Sequence, residues 1–411
     1  MELLLENDSV RVAVDRMTED HLVMWSNAPV CLPSFVSRFS AEQKAEKERE
    51  IEQMLEKTPP PSGRFEELDE PERKRLLGRA HTAIAKLLST PRDAFTEQFF
   101  DNCEKAGRAF SKEAREFDPA LKDEEVQQAL RNQWVFNSIQ SCLDHPVTLS
   151  PSSLAYSLMY PYTDNWLDAQ NRTAAEKRAY IETLTPFLEG HVTENDDPGV
   201  QTLLRLLQMV EEEYPRADFP EVYGSLLAIH RAQERGILLH APVDELADVP
   251  LLAITVEKGG TSVLVDGYLV RGTLTQKEQS SLFGYGVLLQ FIDDLQDIAQ
   301  DERVGHSNAF SCALREGPLD AITNRLIHFT RGAIARMDGG PGAQNASLRR
   351  LIEDSCMFLI WEAIARHRAH YSPSYLRSIE EYAPLRFEYL DGLHTRLKKK
   401  IAQRERTPHP G

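Results

Sequence analysis

The chain has 411 residues, 41% of them apolar and 27% charged, which is enough apolar material for a substantial core in one large or two ordinary domains. With 64 acidic against 47 basic side chains its formal charge is −17, which argues against a nucleic-acid or anionic-membrane surface, since both attract lysine and arginine. The five cysteines show no CxxC or paired spacing and read as reduced, mostly buried thiols, and no leader or run of about 18 apolar residues stands out, so a cytoplasmic protein without stable membrane insertion is expected.

In chain order, residues 1–40 are mixed, and Pro29 and Pro33 break any long element. Ala41 to Lys57 is a charged run of good helix formers, ended by Thr58-Pro59-Pro60-Pro61-Ser62-Gly63. Residues 1–70 therefore read as an N-terminal extension, a charged helix with a proline-rich linker, packed on or hanging from a main domain of residues 71–405. From Pro71 onward the periodicity is helical rather than alternating, as in Pro71 to Leu88 and Asp123 to Leu143. Prolines at 119, 146, 151, 186, 198, 215, 220, 242, 318, 341 and 373 divide the chain into about ten or more helices. The predicted class is all-α, a single large helical bundle whose sites lie between facing helices.

Within that pattern, Tyr160-Pro-Tyr-Thr-Asp164-Asn-Trp-Leu-Asp168-Ala-Gln-Asn-Arg172 sets Asp164, Asp168 and Arg172 on one helical face, with Pro161 either kinking the helix or starting it. A surface pair of Asp168 with Arg172, worth about 0.3–0.5 kcal/mol, is the plain alternative. Farther on, Glu257-Lys258-Gly259-Gly260-Thr261-Ser262 interrupts an apolar segment.

The stretch Gly286-Val-Leu-Leu-Gln290-Phe-Ile-Asp293-Asp294-Leu-Gln-Asp297-Ile-Ala-Gln-Asp301 carries the strongest signal. Gly286, Gln290, Asp293, Asp297 and Asp301 share a stripe, while apolar side chains cover much of the remaining cylinder, so the helix and its acids are predicted to be buried. No lysine or arginine lies at a spacing that neutralises all three acids, and carboxylates without His or Cys neighbours suit Mg2+. A solvated acidic helix end is the alternative. A di-iron carboxylate bundle needs Glu-x-x-His, and none of the twelve histidines has Glu three residues before it.

Two acidic helical faces in an all-α chain look like a pair. Gly286 to Asp297 reproduces GxxxQxxDDxxD, and Asp164 with Asp168 reads as DxxxD. On these motifs the chain resembles the class I isoprenoid synthase superfamily of terpene synthases, squalene and phytoene synthases and trans-prenyltransferases. It is nearest to the bacterial class I large-terpene synthases. Asp293, Asp297 and Asp301 also have the spacing of the terpene synthase metal triad, where that family usually has Asn or Asp, Ser or Thr, and Glu. The first motif departs from the prenyltransferase form in having Asp-Asn where that form has Asp-Asp.

The resemblance implies the isoprenoid synthase bundle, and Mg2+, three ions once substrate is bound, held by Asp164, Asp168, Asp293, Asp294, Asp297 and Asp301. It implies a prenyl diphosphate substrate gripped between the two faces, and a monomer or a homodimer. In the superfamily a helix breaks beside the diphosphate where Lys258-Gly259-Gly260 stands here, so Lys258 is a candidate diphosphate ligand. Arg172 and Arg303, which closely follow the two motifs, are candidates as well. Arg131-Asn132, His230-Arg231-Ala-Gln233, Arg386 to Tyr389 and His306 are weaker candidates, each more often a surface charge or a satisfied polar group. The implied activity is that of a terpene synthase with Asp164, Asp168, Asp293 and Asp297 at its centre. Condensation of prenyl diphosphates comes second, and a non-catalytic helical scaffold is the reading from outside enzymology. Aromatic candidates for steering a carbocation are Trp134, Tyr156, Tyr160, Trp166, Tyr285 and Phe291.

Overall fold

A computed structural model describes residues 2–57, 88, 93–167, 169, 172–191, 195–240, 249–337, 343–393 and 396, without the side chains of 2–8, 54–57, 164 and 343–345. The chain is all-α, with no strand among the described residues. Its helices are α1 (Glu2–Asn27), α2 (Ala41–Lys57), α3 (Ala94–Phe117), α4 (Asp123–Cys142), α5 (Pro151–Leu167), α6 (Ala174–Leu188), α7 (Pro198–Glu213), α8 (Pro220–Gly236), α9 (Leu251–Arg271), α10 (Gln276–Gln296), α11 (Ile298–Val304), α12 (Ala309–Glu316), α13 (Asp320–Arg336), α14 (Ala343–Arg366) and α15 (Pro373–Glu380). None of these is long and apolar enough to cross a membrane. Apart from Leu88, the helix expected over Pro71 to Leu88 lies outside the described residues, as does the proline-rich linker.

Several of the prolines that divide the chain do so as helix starters. Pro198, Pro220 and Pro373 occupy the first turns of α7, α8 and α15, where the missing N–H costs nothing. Pro161 and Pro186, by contrast, lie inside α5 and α6. At the head of α10, Thr275 accepts from the Glu278 N–H while the Glu278 carboxylate accepts from the Thr275 N–H at 2.8 Å, a reciprocal cap that fixes where the helix begins.

α9 and α10 pack against each other along their length and form the middle of the bundle, with α1, α4, α5 and α8 around α9 and α13 and α14 against α10. The N-terminal helix belongs to this core. Val10, Val14, Met17 and Trp25 are each no more than 3% exposed, and the Trp25 ring lies 4.1 Å from that of Phe291. His21 is buried beside Phe283; its Nδ1 lies 2.7 Å from the Met17 carbonyl, and burial lowers its pKa.

α2 is held differently, by charge. Glu48, 3% exposed, accepts from the Arg386 guanidinium at Nε and from the Arg386 backbone N–H, both at 2.9 Å, while Lys44 donates to the Glu380 carbonyl and Tyr389 donates to Glu52. Replacing Glu48 by alanine strands the half-exposed guanidinium and is expected to lower stability by about 1–3 kcal/mol in urea titrations. An unchanged midpoint would mean that the pair contributes nothing to docking of α2. All five cysteines are free, but only Cys356 is fully buried and Cys31 is exposed, so the expectation of mostly buried thiols holds only in part.

Candidate functional site

The site is set by how closely α9 and α10 approach. A Cβ on Gly286 would lie 2.1 Å from the Gly259 carbonyl oxygen, and one on Gly259 would lie 2.5 Å from Gln290 Cβ, so the helices touch backbone to backbone. Gly286 is therefore a packing residue within the motif. Nor do Gly259 and Gly260 break a helix, as the resemblance had implied. α9 runs unbroken from Leu251 to Arg271, and the two glycines admit Gln290 and the Phe283 ring instead. The contact brings Lys258, midway along α9, against the acidic end of α10, where its charge works against the rise in the Asp293 pKa.

At that end the backbone ladder continues through the motif, Asp297 N–H to Asp293 carbonyl and Asp301 N–H to Asp297 carbonyl, both 2.9 Å. α10 nevertheless stops at Gln296, because Asp297 turns to φ −100°, ψ 7° before α11 resumes the spiral. The three acids thus stand on successive turns, as their spacing predicts, but across a bend. At the end of α14, Arg366 Nη1 donates to the Gln296 carbonyl at 3.3 Å and His367 Nε2, just beyond the helix, lies 2.9 Å from the same oxygen, so a guanidinium and an imidazole hold the carbonyl end of α10. Asn308 donates through Nδ2 to Asp301 at 2.8 Å and to the Asp294 carbonyl at 3.1 Å. His306 stacks on His240 with ring centroids 4.9 Å apart and lies 3.6 Å from Asp301.

Burial of the acids departs from expectation. Asp293 is exposed to water although many protein atoms surround it; Asp297 and Asp301 are half-buried; and Asp294, off the stripe, is the acid that is enclosed. The reason is that α10 turns its apolar faces to α1, α9, α13 and α14, which leaves the Asp293 strip uncovered. The crowding around Asp293 raises its pKa to about 6, reinforced by Asp297 and Asp301 and opposed by Lys258 and Arg131. Asp297 is raised by burial and then by Asp301, with Arg366 and Arg131 opposing. Mutual repulsion without full neutralisation is what a bound cation would relieve.

Burial raises the Asp294 pKa to about 7, and its Oδ2 has no hydrogen-bond partner among the described residues, while Oδ1 accepts from Gln290 at 2.9 Å. The folded state thus holds a proton that the unfolded chain gives up near its ordinary value of 3.8. The stability linked to this proton is complete below that value and is lost as pH rises through about 7. In denaturant titrations across this window, Asp294→Asn is expected to flatten the fall by up to one proton, about 1.4 kcal/mol per pH unit. Parallel curves for the two proteins would show that Asp294 is ionised in the fold.

The first acidic motif is only partly described. α5 passes straight through Pro161, so Asp164 sits on a helix that begins at Pro151, but the Asp164 side chain and all of Asp168 lie outside the described residues. Arg172 is engaged locally, 3.5 Å from Glu176 and over the Trp166 ring, which itself stacks on Tyr180. Exposed Arg303 donates to the Ala299 carbonyl of its own helix at 2.9 Å. Among the described residues no three His, Cys, Asp or Glu side chains converge to hold a metal ion.

Beside α5 lies an apolar cavity of about 80 Å³, lined by Tyr156, Tyr160 and Thr163 of α5 and by Phe187, Leu207 and Ile229 from α6, α7 and α8. Of the aromatic candidates, Tyr156 and Tyr160 therefore face open space, and Tyr156 also donates to the Ser262 carbonyl at 3.2 Å. Trp134 is 56% exposed on the outer surface, and Phe291 is consumed by packing on Trp25 and Phe329; neither borders this cavity. His230 is a satisfied core histidine, with Nε2 3.0 Å from the Ile181 carbonyl and from Thr185 Oγ1, and burial lowers its pKa to about 4. Arg386 and Tyr389 serve α2, as described above.

Sequence reasoning missed Asp266, which is 1% exposed on α9 two turns beyond Lys258 on the same face. Its Oδ1 accepts from Asn132 at 3.5 Å, its Oδ2 has no partner among the described residues, and burial pushes its pKa far up. A lone aspartate in the apolar run Ser262-Val-Leu-Val-Asp266-Gly-Tyr-Leu-Val270 was the available signal.

No protein-family model matches the chain, and neither does any curated protein or solved structure.

Proposed function

We propose that this protein is a Mg2+-dependent class I terpene synthase that ionises an allylic prenyl diphosphate. The observation that carries the reading is the Asp293, Asp297 and Asp301 ladder, under-neutralised, open to water at Asp293 and bordered by Lys258 and Arg131. The donor set fits the metal. Mg2+ keeps several waters and takes one or two carboxylates plus substrate phosphate oxygens, so it needs no convergence of three protein side chains. Asp293, Asp297 and Asp301 would hold it on one side, and Asp164 and Asp168 on the other. When bound, the ion would offset negative charge on the leaving diphosphate.

The rest falls to the chain's own groups. Lys258 and Arg131 supply positive charge beside Asp293, where phosphate oxygens would lie. Tyr156 and Tyr160 line the apolar cavity beside α5, where an aromatic ring face turned to a cation would stabilise it by about 0.5–2 kcal/mol.

The test is incubation of the folded protein with Mg2+ and geranyl, farnesyl or geranylgeranyl diphosphate, with and without isopentenyl diphosphate, followed by analysis of hydrocarbons and released diphosphate. Hydrocarbon formation without isopentenyl diphosphate is expected. A longer prenyl diphosphate as the sole product would reassign the chain to condensation, and absence of turnover with every substrate would count against an enzyme of this class.

A further inference from the structure

A separate concavity of about 260 Å³ lies between α1, α8 and α9, lined by Arg11 and Asp15 of α1, Arg231 and Arg235 of α8 and Glu257 of α9. Its volume has a plain origin. Gly224, Ala228, Arg231 and Arg235 share one face of α8, and the two small residues leave unfilled space under α1, floored by Val14.

The charges there are not balanced. Arg235 pairs with Glu257, whose side chain is 11% exposed, so that buried carboxylate and that guanidinium are committed to each other. Arg11 and Arg231 make no ion pair or hydrogen bond among the described residues, and both are exposed at the rim. Asp15, the remaining carboxylate, cannot neutralise both, so one positive charge is left over. In a chain of formal charge −17, where carboxylates outnumber cations, two unpaired guanidinium groups on facing helices over a shared cavity are unusual.

We propose that this concavity is a binding site for a phosphate-class oxyanion, held between Arg11 of α1 and Arg231 of α8. A guanidinium presents paired donors that match tetrahedral phosphate oxygens, and two of them from different helices can grip one anion from two sides. The occupied site bridges the N-terminal helix to α8. It stands independently of the proposed chemistry and holds even for a chain that turns over no prenyl diphosphate.

The test titrates inorganic phosphate and diphosphate into the full-length protein in metal-free buffer by calorimetry, so that capture through carboxylate-bound metal is absent. Saturable binding at one site is expected. The double variant Arg11→Ala/Arg231→Ala should weaken it by about tenfold or more, since charge-assisted hydrogen bonds are lost. Asp15→Asn should tighten it by about threefold, because a like charge beside the anion is removed. Circular dichroism confirms the fold of these surface variants. Absence of saturable binding by the unaltered protein, or unchanged affinity in either variant, overturns the assignment.

Discussion

Asp293→Ala is expected to reduce Mg2+-dependent diphosphate release by about a hundredfold to a thousandfold while leaving the helical fold intact. Removal of one preorganised group aimed at developing charge costs a rate of this order. Asp293 occupies the open strip of α10, so its loss creates no cavity in the core. It also removes one member of a repelling set, as the raised pKa values of Asp293 and Asp297 show. Thermal stability should therefore hold or rise as turnover falls. The two measurements must be read together: loss of activity with loss of fold would say nothing about metal binding. Retention of full turnover in a folded variant would refute the assignment of Asp293 to the metal. Asp164→Ala tests the opposing face in the same assay.

The second large effect concerns Gly286. Alanine is a better helix former than glycine by about 1 kcal/mol, so on local grounds Gly286→Ala should stabilise α10. The neighbouring helix reverses that sign. The new methyl would lie 2.1 Å from the Gly259 carbonyl oxygen, a backbone atom that cannot swing aside, so α9 and α10 must separate. Overpacking of this kind costs about 1–3 kcal/mol or more, and here it acts at the central contact of the bundle. A loss of at least about 2 kcal/mol is expected in chemical denaturation. Gly107→Ala is the control: its Cβ would meet nothing closer than Leu130 Cδ1 at 3.5 Å, and it should be neutral or stabilising by up to about 1 kcal/mol. Equal gains in both variants would mean that the helices do not touch at Gly259.

Much of this architecture is legible in the residues themselves. The helical class follows from periodicity, and Ala41–Lys57 and the start of α4 at Asp123 fall where composition places them. The successive-turn arrangement of Asp293, Asp297 and Asp301 follows from spacing alone. What spacing does not carry is which side of a largely apolar helix remains uncovered. That depends on partners far away in sequence, and it is why Asp294 rather than Asp293 is enclosed. Prolines mark boundaries where they fit a first turn, as Pro198 and Pro220 do, whereas Pro186, also read as a divider, lies inside α6. α1 was the least legible element. Its stripe of Val10, Val14, Met17, His21 and Trp25 is present in the sequence, but exposed Val12 and Val23 blur it, and nothing local names Phe291 as its partner.

That partnership shapes how the molecule comes to be made. Trp25 leaves the ribosome long before Phe291 and Phe329, the rings it finally rests on. α1 packs chiefly on α8 and α9 and then on α10 and α13, all more than 190 residues farther along the chain, so its apolar side waits long for native partners, and closing so long a loop is slow. In vectorial synthesis the apolar stripe of α1 is therefore without native cover until α8 and α9 emerge, and the seating of Trp25 against Phe291 and Phe329 is expected to come after that.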